Sequence, residues 1–509
     1  MTIDVVELGI ADAQRQMVAG EFTARQLTQA YLDRIATLDR AGPSLNSVIE
    51  LNAAALEDAD RLDAERASGK IRGPLHGIPL LLKDNIDVVG MVNSAGSLAL
   101  ADNRPQQDAF LVAHLRTAGA IILGKTNLSE WANFRSTHST SGWSSRGGQT
   151  RNAYVLDRNP CGSSAGTATA ITASLAAAGI GTETDGSIIC PAAISGLVGL
   201  KPTVGLISRR GIIPISISQD TAGPMGRTVA DVAAVLNALA VPDDADPAGS
   251  SAKAHAAPDY TAFLNAGALA GKRLGIARKG LGFNADVDAA MERAVATLTA
   301  AGAIVIDVKI DGYGSWEGPE LNVLLYEFKN GLNTYLKAAG VKPGSLEELI
   351  QWNEDHRDSV MPWFGQDILV MAQAKGSLKD PDYIEARANA RRLALQNGLL
   401  ATLDANRVDA LITPSAGPAW LTDPLLGDHS VGGGAPMAAV AGTPSITVPM
   451  GDSHGLPLGL AFMGPAYSEA QLLGFAYAFE QATHARTTPT FVPHLDTHAT
   501  PPEHPDANR

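Results

Sequence analysis

Apolar residues first fall into register at Leu27, Tyr31, Ile35 and Leu38, which recur on one side of a 3.6-residue period. Thr23 and Gln26 make a capping-box pair just before them, and Phe22 with Leu27 has the spacing of a hydrophobic staple. An amphipathic helix over 23–39 follows, with a packing role and no chemistry. From about residue 72 the pattern changes. Residues 78–82 and 120–123 are short unbroken apolar runs, as expected of strands buried on both faces. Between them, 108–117 has helical spacing and ends at Ala118-Gly119. Further strands are predicted at 273–277, 303–308, 410–413, 445–448 and 459–463, and a small-residue helix at 165–178. Alternation of this kind predicts an α/β fold: a single large α/β/α layered domain whose mixed, mostly parallel central sheet is covered by helices.

The same pattern divides the chain into an N-terminal helical segment (1–70), a core (71–240) and the remainder of the α/β domain (241–486). The stretch 310–400 is richer in helical spacing, notably 321–336, and reads as an insertion over the sheet edge. The tail, 487–509, contains Pro489, Pro493, Pro501, Pro502 and Pro505 and is expected to be extended or disordered. No internal repeat or clean linker is visible.

Composition narrows the function. In 509 residues, 45% hydrophobic and 18% charged, there is ample material for a large core. A net charge of −14 disfavours nucleic acid or an anionic membrane as the main partner. No run is long and apolar enough for a membrane helix, and Asp4 and Glu7 stand where a signal peptide carries bases. A soluble protein is expected, cytoplasmic from the chain as given or exported if a leader preceded Met1, and a monomer. The two cysteines, Cys161 and Cys190, are too few for a disulfide framework. Each flanks a serine loop, and two small buried apolar residues are expected there rather than a thiol nucleophile or a redox switch.

The chemistry lies between Lys83 and Ser187. Lys83 ends the apolar run at 78–82; Ser163 lies in Cys161-Gly162-Ser163-Ser164-Ala165-Gly166; Ser187 lies in Gly181-Thr182-Glu183-Thr184-Asp185-Gly186-Ser187. A strand-ending lysine ordinarily snorkels to water. Buried beside a serine it loses its proton and can act as a base for a hydroxyl that is otherwise a poor nucleophile. The stretch around Ser164 also fits the G-x-S-x-G nucleophile elbow, but residues 156–160 do not read as the strand the elbow needs, and the late histidines lie at the chain's end.

Lys83-Asp84-Asn85, Ser163 80 residues later and Ser187 a further 24 on resemble the amidase signature family in order and spacing. So do Gly124-Lys125-Thr126-Asn127, Gly199-Leu200-Lys201-Pro202 and Asp220-Thr221-Ala222-Gly223-Pro224-Met225, and the likeness extends from the first helix to about residue 482. The resemblance implies that fold, with Ser187 as nucleophile, Ser163 as a bridging serine on a cis peptide bond, and Lys83 as base. It implies an oxyanion hole from the backbone N–H groups of Thr184, Asp185, Gly186 and Ser187, and neither cofactor nor metal. Three positions depart from the family: Glu183 replaces an aspartate, Asp185 a glycine, and Ile189 an arginine that helps bind acidic substrates in several members. The Glu183–Ile188 variant, with Asn133-Phe134-Arg135 and residues 325–329, resembles the bacterial peptide amidases, which implies release of ammonia from C-terminally amidated peptides. Substrate contacts are expected at Ser164, Trp131, Phe134 and Trp143, making the acyl side of the pocket apolar and aromatic. Other aryl or aliphatic acylamides are an alternative substrate class, and a non-catalytic receptor or scaffold an alternative of another kind. Labelling by a serine-reactive organophosphate separates enzyme from scaffold.

Overall fold

The structure, a computed structural model, describes residues 3–433 and 435–496. Its strands in chain order are β1 (Val48–Leu51), β2 (Pro79–Lys83), β3 (Ile121–Thr126), β4 (Trp143–Ser144), β5 (Gly148–Gln149), β6 (Ala178–Glu183) and β7 (Val198–Lys201). They continue with β8 (Thr221–Gly226), β9 (Arg273–Ala277), β10 (Ile304–Val308), β11 (Ala410–Pro414), β12 (Ser445–Ser453) and β13 (Leu456–Met463). β4 and β5 pair only with each other. The other strands form one sheet in the order β1-β3-β2-β6-β8-β7-β12-β13-β11-β9-β10.

Every residue of β2, β3, β6, β8 and β11 is buried, so helices and loops cover both faces of the sheet there. The sheet is mixed, as expected, but its parallel share is smaller than strand–helix alternation implies. β2 runs parallel to β3 and β6, and β9 parallel to β10 and β11. The strands between these two groups pair antiparallel. The reason is local: β12 and β13 are joined by the tight turn at His454-Gly455 and pair along their length, with no crossover helix between them.

The helix expected over 23–39 forms at Ala24–Arg34 and runs on as a wider turn over Ile35–Asp39. Both halves of the Thr23–Gln26 capping box are made, and Leu27, Tyr31 and Ile35 are fully buried. The helix expected at 165–178 stops at Thr172. Its small residues do not mark an end; Ser174 turns the chain at φ 56°, and Ala178 is already paired to β2. Helices occupy much of 310–400, the longest being Glu317–Ala339. In the tail, Val492 bridges to Val155 and the Phe491 N–H donates to the Ala153 carbonyl at 3.0 Å, so that part is extended along the body of the protein. The later prolines, from Pro501, lie outside the described residues. Among the described residues no helix is long and apolar enough to cross a membrane.

Candidate active site

Strand pairing assembles the site. β2 and β6 lie side by side in parallel with Leu82 opposite Ile180, so the residues just beyond, Lys83 and Thr182, meet across the strand ends. β8 pairs antiparallel to β6 with Thr221 opposite Glu183, which sets Asp220 beside Thr184. The carboxyl ends of parallel strands are where open α/β sheets leave a crevice.

Lys83 is fully buried, and its Nζ lies 2.7 Å from Ser163 Oγ. Nζ also donates to the Thr182 carbonyl at 3.1 Å and to Thr182 Oγ1 at 2.9 Å, while Asn85 Nδ2 donates to the same hydroxyl at 3.0 Å. A neutral amine has two N–H donors and one lone pair. Thr182 takes both donors, which leaves the lone pair for the Ser163 hydroxyl. Burial pushes the Lys83 pKa down to about 7, and Glu183 and Asp220 offset this only in part. Two other lysines are buried at strand ends and neither reaches a serine. Lys125 pairs with Asp84 at 3.3 Å, and Lys201 donates to the Pro202 and Thr443 carbonyls at 3.0 and 2.6 Å.

Ser163 follows a cis peptide bond from Gly162, and a side chain at Gly162 would collide with Ser129 Oγ. Ser187 is buried, in a loop anchored at both ends by side-chain hydrogen bonds. Thr184 Oγ1 donates to Asp220 Oδ1 at 2.6 Å, and Gln219 Nε2 donates to the Thr184 carbonyl at 3.2 Å. Because a peptide unit is planar and trans, the Asp185 N–H points away from Gln219. Gly186 adopts φ 77°, a conformation that side chains resist, and turns the chain into Ser187. Glu183 Oε2 then accepts from the Ile188 and Ile189 N–H groups at 2.7 and 3.0 Å, starting the helix Ile189–Ile194. Among the described residues no acceptor takes the N–H groups of Asp185, Gly186 or Ser187. Unpaired amides converging beside a serine can stabilise the negative oxygen of a tetrahedral intermediate.

The remaining predicted site residues sit elsewhere. Ser164 is buried, donates to the Thr182 carbonyl at 3.0 Å and accepts from the Thr182 N–H at 3.2 Å; it pins the loop to β6 and has no hydroxyl to spare for substrate. Trp131 and Phe134 pack in a core cluster with Phe328, and Trp143 lies edge-on to Phe364. All three aromatics are buried, and Trp143 with Phe364 also lies beside the guanidinium of Arg135, itself buried with Glu130 at 2.7 Å. The cavity beside the serines, of about 230 Å³, is instead lined by polar and small residues such as Asn133, Ser141, Gly162 and Asp185, with Trp420 as its aromatic wall. Sequence reading also missed Thr182, Gln219 and Asp428. Thr182 stood inside the quoted motif, but only the β2–β6 register shows that it meets Lys83.

Cys161 and Cys190 form a disulfide with Cα atoms 6.1 Å apart. This corrects the expectation of two free apolar thiols. Spacing in sequence could not show it, because the loops meet only once Ser164 N donates to the Ser187 carbonyl at 3.2 Å. The bond ties the Ser163 loop to the Ser187 loop across a separation of 29 residues. Closing a loop of that size is worth ~3–4 kcal/mol on the chain-entropy account. Replacing both cysteines with alanine is therefore expected to lower the unfolding free energy by about that amount, as measured by denaturant unfolding. Wild-type protein under strong reductant should move to the same midpoint.

A buried lysine bonded to Ser163, a second serine on the adjoining loop and a set of free amides on a layered α/β sheet define a serine amidohydrolase. The comparisons agree: a family model described as Amidase matches residues 26–473, and the chain belongs to the amidase signature family. A protein of Arabidopsis thaliana, named a probable amidase, is 39% identical over 505 residues, covering 96% of this chain and 93% of its own. The native peptide amidase of Stenotrophomonas maltophilia is 54% identical, with a TM-score of 0.91 over 95% of this chain and 99% of its own. A peptide amidase solved with the competitive inhibitor chymostatin is 55% identical, with a TM-score of 0.94 over 95% of this chain and 99% of its own.

Proposed function

We propose that this chain hydrolyses the C-terminal amides of peptides, releasing ammonia and the free peptide acid. Lys83 takes the proton of Ser163 as Ser163 takes that of Ser187, and Ser187 attacks the amide carbonyl. The N–H groups of Thr184, Asp185, Gly186 and Ser187 hold the developing oxyanion. The proton returns through Ser163 to the departing nitrogen, and water then hydrolyses the acyl-enzyme. The observation that carries the substrate reading is the 54% identity to a peptide amidase over nearly the whole of both chains, with Lys83, Ser163 and the Ser187 loop set as such chemistry needs. Ile189 is fully buried, so that position offers no cation to an acidic substrate.

Mass spectrometry of a long amidated peptide tests it. The expected result is the small mass gain of an amide-to-acid exchange, with ammonia released and no fragments. Internal cleavage would make the chain an endopeptidase. Turnover of simple acylamides well above that of amidated dipeptides would move the substrate class to acylamides.

A further inference from the structure

The peptide-amide reading leaves Asp185 unexplained on its side-chain atoms. Its backbone belongs to the free-amide loop, yet its carboxyl is the most exposed group in that loop and opens into the 230 Å³ cavity beside the serines. The charged side chains lining this cavity are Asp185 and Asp428, with no Lys, Arg or His among the described lining residues. Asp428 is fully engaged: it accepts from the Ser141 N–H and Oγ at 3.0 and 2.5 Å, and from Asn159 Nδ2 and Trp420 Nε1, each at 3.2 Å. Asp185 accepts no hydrogen bond from any described residue. The one cation it feels, Lys201, has its ammonium turned to two carbonyls.

We propose that Asp185 is a specificity-determining residue, an unpaired carboxyl that selects amides of cationic C-terminal residues over amides of acidic ones. The proposal rests on the peptide-amide reading and names the substrate class within it. Asp185 lies two residues from Ser187, so a substrate whose carbonyl carbon sits at Ser187 and whose oxygen faces the loop amides brings its C-terminal side chain into the same small cavity. There a lysine or arginine head meets a carboxyl that lacks a partner, whereas a glutamate meets a like charge with no cation in the walls to offset it. The neighbourhood reinforces the sign. The carboxyl is open only to the cavity and is otherwise surrounded by protein, so desolvation first, then Glu183 and Glu317, push its pKa up, and Glu320 nearby is raised as well. A carboxyl that ionises reluctantly by itself ionises readily when a cation arrives, so the preference comes chiefly from attraction of the cation.

The test compares kcat/KM for three acetylated dipeptide amides that differ only in a C-terminal Lys, Met or Glu. Wild type should prefer Lys to Met and Met to Glu, with Lys over Glu by at least about a hundredfold. Asp185→Asn keeps the shape and removes the charge, and should shrink the Lys-to-Glu ratio by about tenfold or more; Asp185→Gly, the residue of the family pattern, should do the same. A ratio unchanged within about twofold would overturn the role. Because the backbone of Asp185 is part of the oxyanion loop, either variant can lose turnover outright. Calorimetric binding of the Lys and Glu amides to Ser187→Ala, with and without Asp185→Asn, then decides: loss of discrimination supports the role and retained discrimination overturns it. Turnover of the neutral Met amide by wild type reports on the peptide-amide reading separately, so the two can fail independently.

Discussion

Ser187→Ala is expected to lower kcat by about 10⁶-fold while leaving the fold and the binding of peptide amides intact. Its hydroxyl is the one in the loop that no neighbour claims. Thr184 Oγ1 is committed to Asp220 and Ser164 Oγ to Thr182, so neither can stand in as nucleophile. The lost atom is small and its hydroxyl makes no hydrogen bond to a described residue, so the change should cost little stability. Two measurements separate the outcomes. Steady-state ammonia release from an amidated dipeptide should fall to background, and labelling by an organophosphate, stoichiometric in wild type, should vanish. Activity within about tenfold of wild type would remove Ser187 from the mechanism. Labelling that persists in the variant would move the nucleophile to another serine.

Seven of the eleven strands of the large sheet could be read from the sequence, whereas β1 and the Gly-containing central strands β6, β7 and β8 could not, because they carry no long run of bulky apolar residues. Runs such as 78–82 and 120–123 are apolar without interruption, and the strand at 273–277 matches β9 residue for residue. Edges blurred where composition carries no end signal, as in the Ala/Thr stretch that stops at Thr172. The serine and lysine loops were legible through small residues and motif spacing, which reflect local backbone demands. What could not be read depends on contacts between distant segments. The pairing of Cys161 with Cys190 exists because two loops meet above β6. The aromatics Trp131, Phe134 and Trp143 looked like a pocket from their nearness in sequence, but three consecutive left-handed residues, Trp131, Ala132 and Asn133, turn the chain there and leave Asn133, not the tryptophan, on the cavity wall. Residues 325–329, noted only for their likeness, hold Glu327, which accepts from Ser216 Oγ, Ser218 N–H, Ser218 Oγ and Tyr383 OH and braces the loop that carries Gln219 and Asp220.

Lys83 carries the second large effect, and here activity and stability should move in opposite directions. Lys83→Ala or Lys83→Met should lower kcat almost as far as Ser187→Ala, because base and nucleophile act as a unit. Lys83→Arg should not rescue it, since a guanidinium cannot give up its proton near neutral pH. In wild type the base must be neutral, and its pKa is held at about 7 by burial. The pH profile of kcat/KM should therefore be flat above that value and fall about tenfold per pH unit below it. The same shift costs the fold. The unfolded chain keeps this lysine protonated up to its ordinary value of 10.5, whereas the folded chain releases the proton at about 7, so the native state binds fewer protons across that interval. Stability from this group consequently rises with pH between about 7 and 10.5, and the full penalty, on the order of a few kcal/mol, is present below 7. Lys83→Met removes the penalty and forfeits hydrogen bonds to Ser163 and Thr182 worth ~1–3 kcal/mol. Denaturant unfolding at pH 6 should thus find the inactive methionine variant at least as stable as wild type, with any advantage shrinking by pH 9. An active Lys83→Arg enzyme, or a profile without the acid limb, would reduce the lysine to a fixed positive charge and end the proton-relay account.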